Sequence, residues 1–366
     1  MTPVAGIIAE YNPLHAGHAY HIAQTRAALG GDCRIVAVIS GHAVQRGEFP
    51  IMTKFARTEA ALLAGADLVF ELPLAKSLAG AERFARAGVS VLRSLGVITH
   101  LSFGSECGDI DILRGAADKT PEVYPKDKSL AYAYPEMYPE LRGLFTPNNI
   151  LGIEYLRALG GDCSITPLTV RRSGGGHDGE SGCASAIRRK LLNGVMPDES
   201  EMPGFSLKIL QREIKAGRAP IKLDEKALLS RLRRLAKEDF ANLPEVNGGL
   251  HERLYASARK AGSWQELIAL AKTRRFTAAR LRRAFMCAFL GVTERDALTP
   301  PHTRLLGIGC GGTELLGRVT SPVISRAAAH QDALALESRA TDQLALCMPR
   351  PIPSGLEYTA GIVRLE

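Results

Sequence analysis

The chain has 366 residues, 46% of them hydrophobic, and a net charge of +8. That length exceeds one ordinary core, so two domains are expected. There is no run of eighteen uncharged apolar residues and no basic, apolar leader after Met1, so a membrane span and a secretory signal are set aside and the cytoplasm is the expected address. Seven cysteines without a Cys-x-x-Cys pair argue for reduced thiols, against a disulfide frame or a zinc ribbon.

In chain order, short apolar runs alternate with amphipathic stretches. Residues 4–9, 34–40 and 68–72 read as strands, 19–29 and 55–64 as helices, and that rhythm predicts a parallel sheet with crossover helices. A helix over 81–95 and a strand over 100–103 follow. Residues 109–147, rich in Tyr and Pro, read as an irregular insertion. The pattern resumes with a helix over 149–159, a strand over 165–170, a glycine-rich loop over 173–182 and a helix over 184–192. Residues 196–204, with Pro197 and Pro203, read as a linker. Beyond it, helices are expected at 225–240, 250–261, 264–271 and 277–290. The division is therefore an α/β domain over 1–196 and a mainly helical domain over 205–366. The excess positive charge lies wholly in the second half: 20 Lys/Arg face 21 Asp/Glu in 1–199, against 26 and 17 in 200–366. A solvated basic surface and a polyanion-binding face both fit that balance.

The strongest local signal is Glu10-Tyr-Asn-Pro-Leu-His-Ala-Gly-His-Ala-Tyr-His21, directly after the first strand. In an open parallel sheet, ligands collect beyond the C-terminal strand ends, where this segment must lie. A helix opening near Gly17 offers backbone N–H groups and a positive dipole end to a phosphate, and Gly17 lets the backbone approach a nucleotide closely. His15 and His18 are placed to donate to α-phosphate oxygens as pyrophosphate departs. A pair of ordinary helix-cap histidines is the plain alternative. Metal ligation by His15, His18 and His21 is a rival, but no carboxylate follows at helical spacing, and no protein-held metal is expected.

His-x-Gly-His after a first strand resembles the nucleotidyltransferase superfamily, Rossmann-like α/β proteins that include pantetheine-phosphate and nicotinate-nucleotide adenylyltransferases. The remaining motifs narrow the resemblance. Ala9-Glu-Tyr-Asn-Pro-Leu-His15, Ser40-Gly-His-Ala-Val-Gln-Arg-Gly-Glu48, Lys54-Phe-Ala-Arg-Thr58, Glu71-Leu-Pro73, Ser102-Phe-Gly-Ser-Glu106 with Gly108-Asp109, Pro147-Asn-Asn-Ile-Leu-Gly152 and Ala184-Ser-Ala-Ile-Arg188 together resemble the bacterial tRNA(Met) cytidine acetate ligase family. Gly248-Gly-Leu-His-Glu-Arg253, Arg274-Arg-Phe-Thr277, Arg280-Leu-Arg-Arg283 and Arg304-Leu-Leu-Gly307 extend it through the second half.

The resemblance implies a two-step ligase. ATP and acetate give acetyl-adenylate and pyrophosphate, and the acetyl group passes to the N4 amine of the wobble cytidine of elongator tRNA(Met). By motif, ATP contacts fall on Ile7, Ile8, Ala9, Glu10, Tyr11, Asn12, Pro13, Leu14, His15, Ala16, Gly17, His18, Ala19 and Tyr20, on Gly104, Asn148 and Asn149, and on Arg171, with Arg172 the neighbouring option. The triphosphate needs cations, for which Lys54, Arg57 and Arg188 are candidates, with Mg2+ bridging phosphate oxygens. Ser185 sits at a second helix start facing phosphate. His177 and Asp178 lie in the glycine-rich loop, and Gln45 and Arg46 could position tRNA or close over ATP. Arg274, Arg275, Arg280, Arg282 and Arg283 form the densest basic cluster and are the expected tRNA contacts, with Phe276 as a possible stacking platform. Two alternatives stay open: a small-molecule adenylyltransferase, and a tRNA-binding module with a vestigial nucleotide site.

Overall fold

A computed structural model of the chain describes residues 2–119, 137–161, 164–172 and 183–365. Seven strands form one sheet in the order β5-β4-β1-β2-β3-β6-β7. β1 (Val4–Ala9), β2 (Arg34–Ser40), β3 (Leu68–Leu72), β4 (His100–Ser105) and β5 (Thr166–Arg171) are mutually parallel. The chain builds outward from β1 through β2 to β3, then crosses back to lay β4 and β5 on the other side. The order therefore reverses between β1 and β4, and a crevice opens beyond their C-terminal ends.

Alternation along the strands explains both layers. Ile35, Ala37 and Ile39 of β2 join the core beneath helices Ala16–Leu29 and Lys54–Leu63, while Val36 and Val38 join the opposite core beneath Ala81–Ser94 and Pro147–Leu159. A third apolar core, built around Leu228, Leu232, Phe240, Leu254 and Phe285, belongs to the helices after residue 220. Ala43, Phe49 and Leu74 from the first half close it.

Three expectations are corrected, and the 196–204 linker stands. The second half is not a separate helical domain: β6 (Arg304–Ile308) pairs antiparallel with β3, and β7 (Val363–Arg364) pairs with β6, so two strands of the sheet come from beyond residue 300. The 196–204 linker leads into helix Gly204–Lys215, whose Leu207, Ile209 and Leu210 pack into the sheet's own core. The insertion holds helix Ile110–Asp118, capped by the Asp109 carboxylate, which accepts from the Asp111 and Ile112 amides at 2.9 and 3.1 Å. The helix expected over 225–240 is two, Glu225–Arg234 and Lys237–Ala241, because Asp239 accepts from the Ala236 amide at 2.8 Å and restarts the chain there. No helix among the described residues is long and apolar enough to cross a membrane.

Candidate active site

Beyond β1 the chain turns sharply into helix Ala16–Leu29. Tyr11 takes φ 48°, a conformation side chains rarely adopt, and is held there by complete burial of its ring. His15 is the N-cap, its Nδ1 accepting from the Gly17 amide at 3.0 Å, and the Nδ1 of His18 accepts from the His15 amide at 3.2 Å. This is a capping box built from two imidazoles. Because both Nδ1 atoms accept, each ring carries its proton on Nε2. Burial, reinforced by the Arg172 and Arg188 charges, lowers His15 to about 4, and burial together with the neighbouring His15 lowers His18 well below the usual range. Both rings are therefore neutral Nε2–H donors at pH 7, side by side with centroids 3.8 Å apart, and Tyr11 meets His18 edge-on.

Two details of the helix-end expectation change. A Cβ on residue 17 would lie 2.9 Å from Cε1 of His15, so Gly17 makes room for the cap ring. The first amides are engaged: Ala16 N–H donates to the Glu201 carbonyl, Gly17 N–H to His15 and His18 N–H to the His15 carbonyl. The donors left for a ligand are the imidazoles. His21 is committed elsewhere. Thr25 donates to the His21 carbonyl, so Ser102 donates to Thr25 and the Ser102 oxygen accepts from His21 Nε2 at 2.9 Å.

The cations sort differently from the expectation. Lys54, expected at the triphosphate, is 1% exposed, and its Nζ meets both Glu71 oxygens at 2.6 and 2.8 Å and Glu357 at 2.7 Å. All three ammonium protons are taken, leaving none for a phosphate, and the catalytic assignment is corrected. Arg304 joins the same cluster, bonding Glu71 and Glu357. Burial lowers Lys54 to about 8 even among these carboxylates. Arg57 is also fully buried and donates to the carbonyls of Glu10, Ser40, Gly41 and Met52, so it ties the ends of β1 and β2 together instead of facing solvent.

Arg188 does reach the histidine loop: Nη1 donates to the Asn12 carbonyl at 2.9 Å, and Nη2 lies 3.1 Å from Glu48. It projects from helix Ala184–Leu192, with Ser185 in the helix's first turn. On β5 neighbouring side chains face opposite ways. Arg171 packs over Gly108, whereas Arg172 passes Gly104, and its charge acts on His15, His18 and His21. The arginine beside the histidines is thus Arg172, not Arg171.

The Asn148/Asn149 pair is a clamp. The Asn149 oxygen accepts from the Glu106 and Cys107 amides at 2.9 and 3.2 Å, while the Glu106 carboxylate accepts from Thr146, Asn148 and the Asn149 amide. Burial pushes the Glu106 carboxyl up, but these donors hold it below the usual range. Asn149 is buried in this arrangement, and Asn148 is partly exposed. Of the loop itself, Ile7, Tyr11 and Leu14 bury their side chains and Tyr20 faces outward. Ile8, Ala9, Ala16 and Ala19 are partly buried, and Pro13 is buried. Glu10 accepts from the Gln45 amide at 2.7 Å, and burial raises its carboxyl. His177 and Asp178 lie outside the described residues.

The basic cluster is partly tied down. Phe276 is buried between the Arg275 and Arg280 guanidiniums, each 5.3 Å from its ring, so it is not a free stacking platform. Arg280 donates to the Glu245 carbonyl and to Asn247, Arg275 to the Gly248 carbonyl, and Arg283 pairs with Glu245. Arg274 is exposed, and Arg282 is partly buried.

Sequence alone put Arg172 second to Arg171, and it missed the Glu48 partner of Arg188 and the Glu106 clamp. The capping box was readable, since polar acceptors at N-cap and N3 are its signature, once histidine is admitted as an acceptor.

The chain matches the HIGH Nucleotidyl Transferase family over residues 2–356. It is 34% identical over 420 residues to a tRNA(Met) cytidine acetate ligase of Acetivibrio thermocellus, with 98% of this chain and 99% of that one covered. The Fervidobacterium nodosum enzyme of the same name is 35% identical over 364 residues, covering 90% and 85%. Among solved structures, Thermotoga maritima TmcAL bound with α-thio-ATP superposes with a TM-score of 0.89 at 29% identity, each chain covered in full. The chain belongs to the tRNA(Met) cytidine acetate ligases of the HIGH nucleotidyltransferase family.

Proposed function

We propose that this chain is an ATP-dependent ligase that acetylates the N4 amine of the wobble cytidine of elongator tRNA(Met). The observation that carries the reading is the pair of neutral Nε2–H imidazoles at the reversal point of the sheet. In the first step an acetate oxygen attacks the α-phosphorus of ATP and the bond to pyrophosphate breaks. Negative charge moves onto the phosphate oxygens in the transition state, and two fixed donors that need no proton exchange stabilise it there. Arg172 and Arg188 supply the positive charge that lets an anionic carboxylate approach an anionic triphosphate. Mg2+ would travel on the phosphate oxygens of ATP, the hard-oxygen ligands it prefers. In the second step the cytidine amine attacks the acetyl carbonyl, the bond to AMP breaks and a proton leaves the nitrogen. The segment Ile7–Tyr20 with Gly104, Asn148 and Ser185 lines the ATP side of this reading, and Arg274, Arg275, Arg280, Arg282 and Arg283 lie on the tRNA side.

Exchange of labelled pyrophosphate into ATP, measured with a panel of carboxylates, tests it. Exchange that requires acetate is expected, and His18→Ala should slow it at least about a hundredfold while tRNA affinity stays within twofold. Exchange driven instead by phosphopantetheine or nicotinamide mononucleotide would make the protein a small-molecule adenylyltransferase.

A further inference from the structure

The segment 43–51 touches both halves of the molecule. On the site side, the Gln45 amide donates to Glu10 at 2.7 Å, the Ile51 amide donates to the Asn12 oxygen at 2.9 Å, and Glu48 lies 3.1 Å from Arg188. On the helical side, Phe49 meets Phe289 edge-on at 6.3 Å. Gly47, at φ +72°, lies so close to helix Ala278–Leu290 that a Cβ would fall 2.5 Å from the Arg282 carbonyl carbon and the Arg283 nitrogen. Val44 pairs with Glu48 as a short hairpin, so no slack separates these contacts.

Arg188 has one nitrogen donating to the Asn12 carbonyl and another 3.1 Å from the Glu48 carboxylate. A phosphate of ATP on Arg188 competes with that carboxylate, because two anions held at that range on one guanidinium repel each other. Once its cation is taken, Glu48 is a bare carboxylate beside a triphosphate and is pushed away from it. The hairpin moves with it, and the contact on the Arg282–Arg283 backbone moves in turn.

We propose that Glu48 holds the place of an ATP phosphate oxygen on Arg188, and that the 43–51 segment carries the exchange of anions to helix Ala278–Leu290, so that ATP and tRNA weaken each other's binding. This rests on the proposed function, with ATP at the histidines and RNA on the helical half. The opposition has a use: once pyrophosphate has left, Arg188 returns to Glu48 and the helix regains its tRNA-binding geometry, which orders adenylation before acyl transfer. Coupling between two binding sites is reciprocal and spans about 5- to 150-fold in known cases.

Dissociation constants of a tRNA(Met) transcript, measured alone, with saturating α,β-methylene-ATP and with saturating AMP, test the proposal. In the unmodified protein the triphosphate analogue should weaken tRNA binding at least about fivefold, and AMP less than twofold. In Glu48→Gln the analogue itself should bind about two- to fivefold more tightly, the size of a modest ion pair, and its effect on tRNA should fall below twofold. Gly47→Ala, forced off the helix by its Cβ, should lose the coupling while keeping the native affinity for the analogue. Equal weakening in the unmodified protein and Glu48→Gln would mean that the two ligands merely repel, and the proposal would fail. Analogue binding with no effect on tRNA, while His18→Ala still slows pyrophosphate exchange at least about a hundredfold, would overturn the coupling and leave the proposed function standing. Pyrophosphate exchange indifferent to His18→Ala would remove both.

Discussion

Two groups of titratable residues stand side by side in this molecule, and they do opposite things. The cluster of Lys54, Glu71, Arg304 and Glu357 carries two charges of each sign in a fully buried setting, and its donors and acceptors answer one another. The histidine loop carries no net charge on its rings, yet each ring keeps one donor that the cap leaves open. What separates a site from a scaffold here is unused hydrogen-bonding capacity, not charge. A lysine inside a motif beside the histidine loop invites a catalytic reading, and three carboxylate contacts cancel it.

The largest expected effect breaks the scaffold side of that contrast. Lys54→Met leaves Glu71 and Glu357 sharing Arg304 alone, one negative charge in excess in the core, and should cost about 3–5 kcal/mol in a urea unfolding series. Adding Glu357→Gln restores a one-to-one balance of charges, so the double variant should be more stable than the sum of the singles requires. Strict additivity, or a single variant that folds as well as the parent and merely loses activity, would return Lys54 to the triphosphate.

A smaller effect sharpens the other side. His15 and His21 protonate near 4 in the folded chain, against about 6.5 unfolded, and His18 and His42 are also held well below their usual range because burial disfavours their charged forms. As pH falls below about 6.5 the unfolded chain takes up protons that the folded chain refuses, so stability is complete above that point and declines toward 4. Each such histidine contributes up to about 1.4 kcal/mol per pH unit. Urea midpoints measured from pH 7.5 to 5.5 should therefore fall on acidification, and His21→Asn should flatten the slope. A flat parent profile over that window would mean that folding does not depress the imidazole pKa values, and the account of the rings as buried neutral groups would be wrong.

The same contrast explains what the sequence could and could not convey. β1, β2 and β3 and helix Ala184–Leu192 were legible to the residue, since apolar runs and periodicity are local properties. β6 was not, although Arg304–Gly307 was visible as a motif: it joins the sheet by pairing with β3, more than 230 residues earlier. Glu357 lies 303 residues from the lysine it neutralises, so no spacing rule could pair them. The choice between Arg171 and Arg172 turned on a parity that only the register of β5 against β4, Ser105 opposite Arg171, can set. The histidine loop was readable because its capping and its position after β1 reside in a dozen consecutive residues, whereas the charge state of its rings, set by burial and by Arg172 and Arg188, was not.

The smallest expected effect concerns the basic cluster, where the two kinds of residue are interleaved. Arg274 is exposed, whereas Arg280 donates to the Glu245 carbonyl and to Asn247 and lies over Phe276. Each phosphate that a protein neutralises on single-stranded RNA steepens the fall of log affinity with log salt by about 0.7. Arg274→Ala should therefore reduce that slope by one such step in tRNA titrations between low and moderate salt, and leave the thermal midpoint unchanged. Arg280→Ala should move the thermal midpoint first, because it strips a donor from the 245–247 turn and one face from Phe276, and any change in tRNA affinity should follow from that loss. If Arg280→Ala instead lowers the salt slope at constant stability, its guanidinium exchanges the turn for a phosphate, and the line between scaffold and surface runs through that residue.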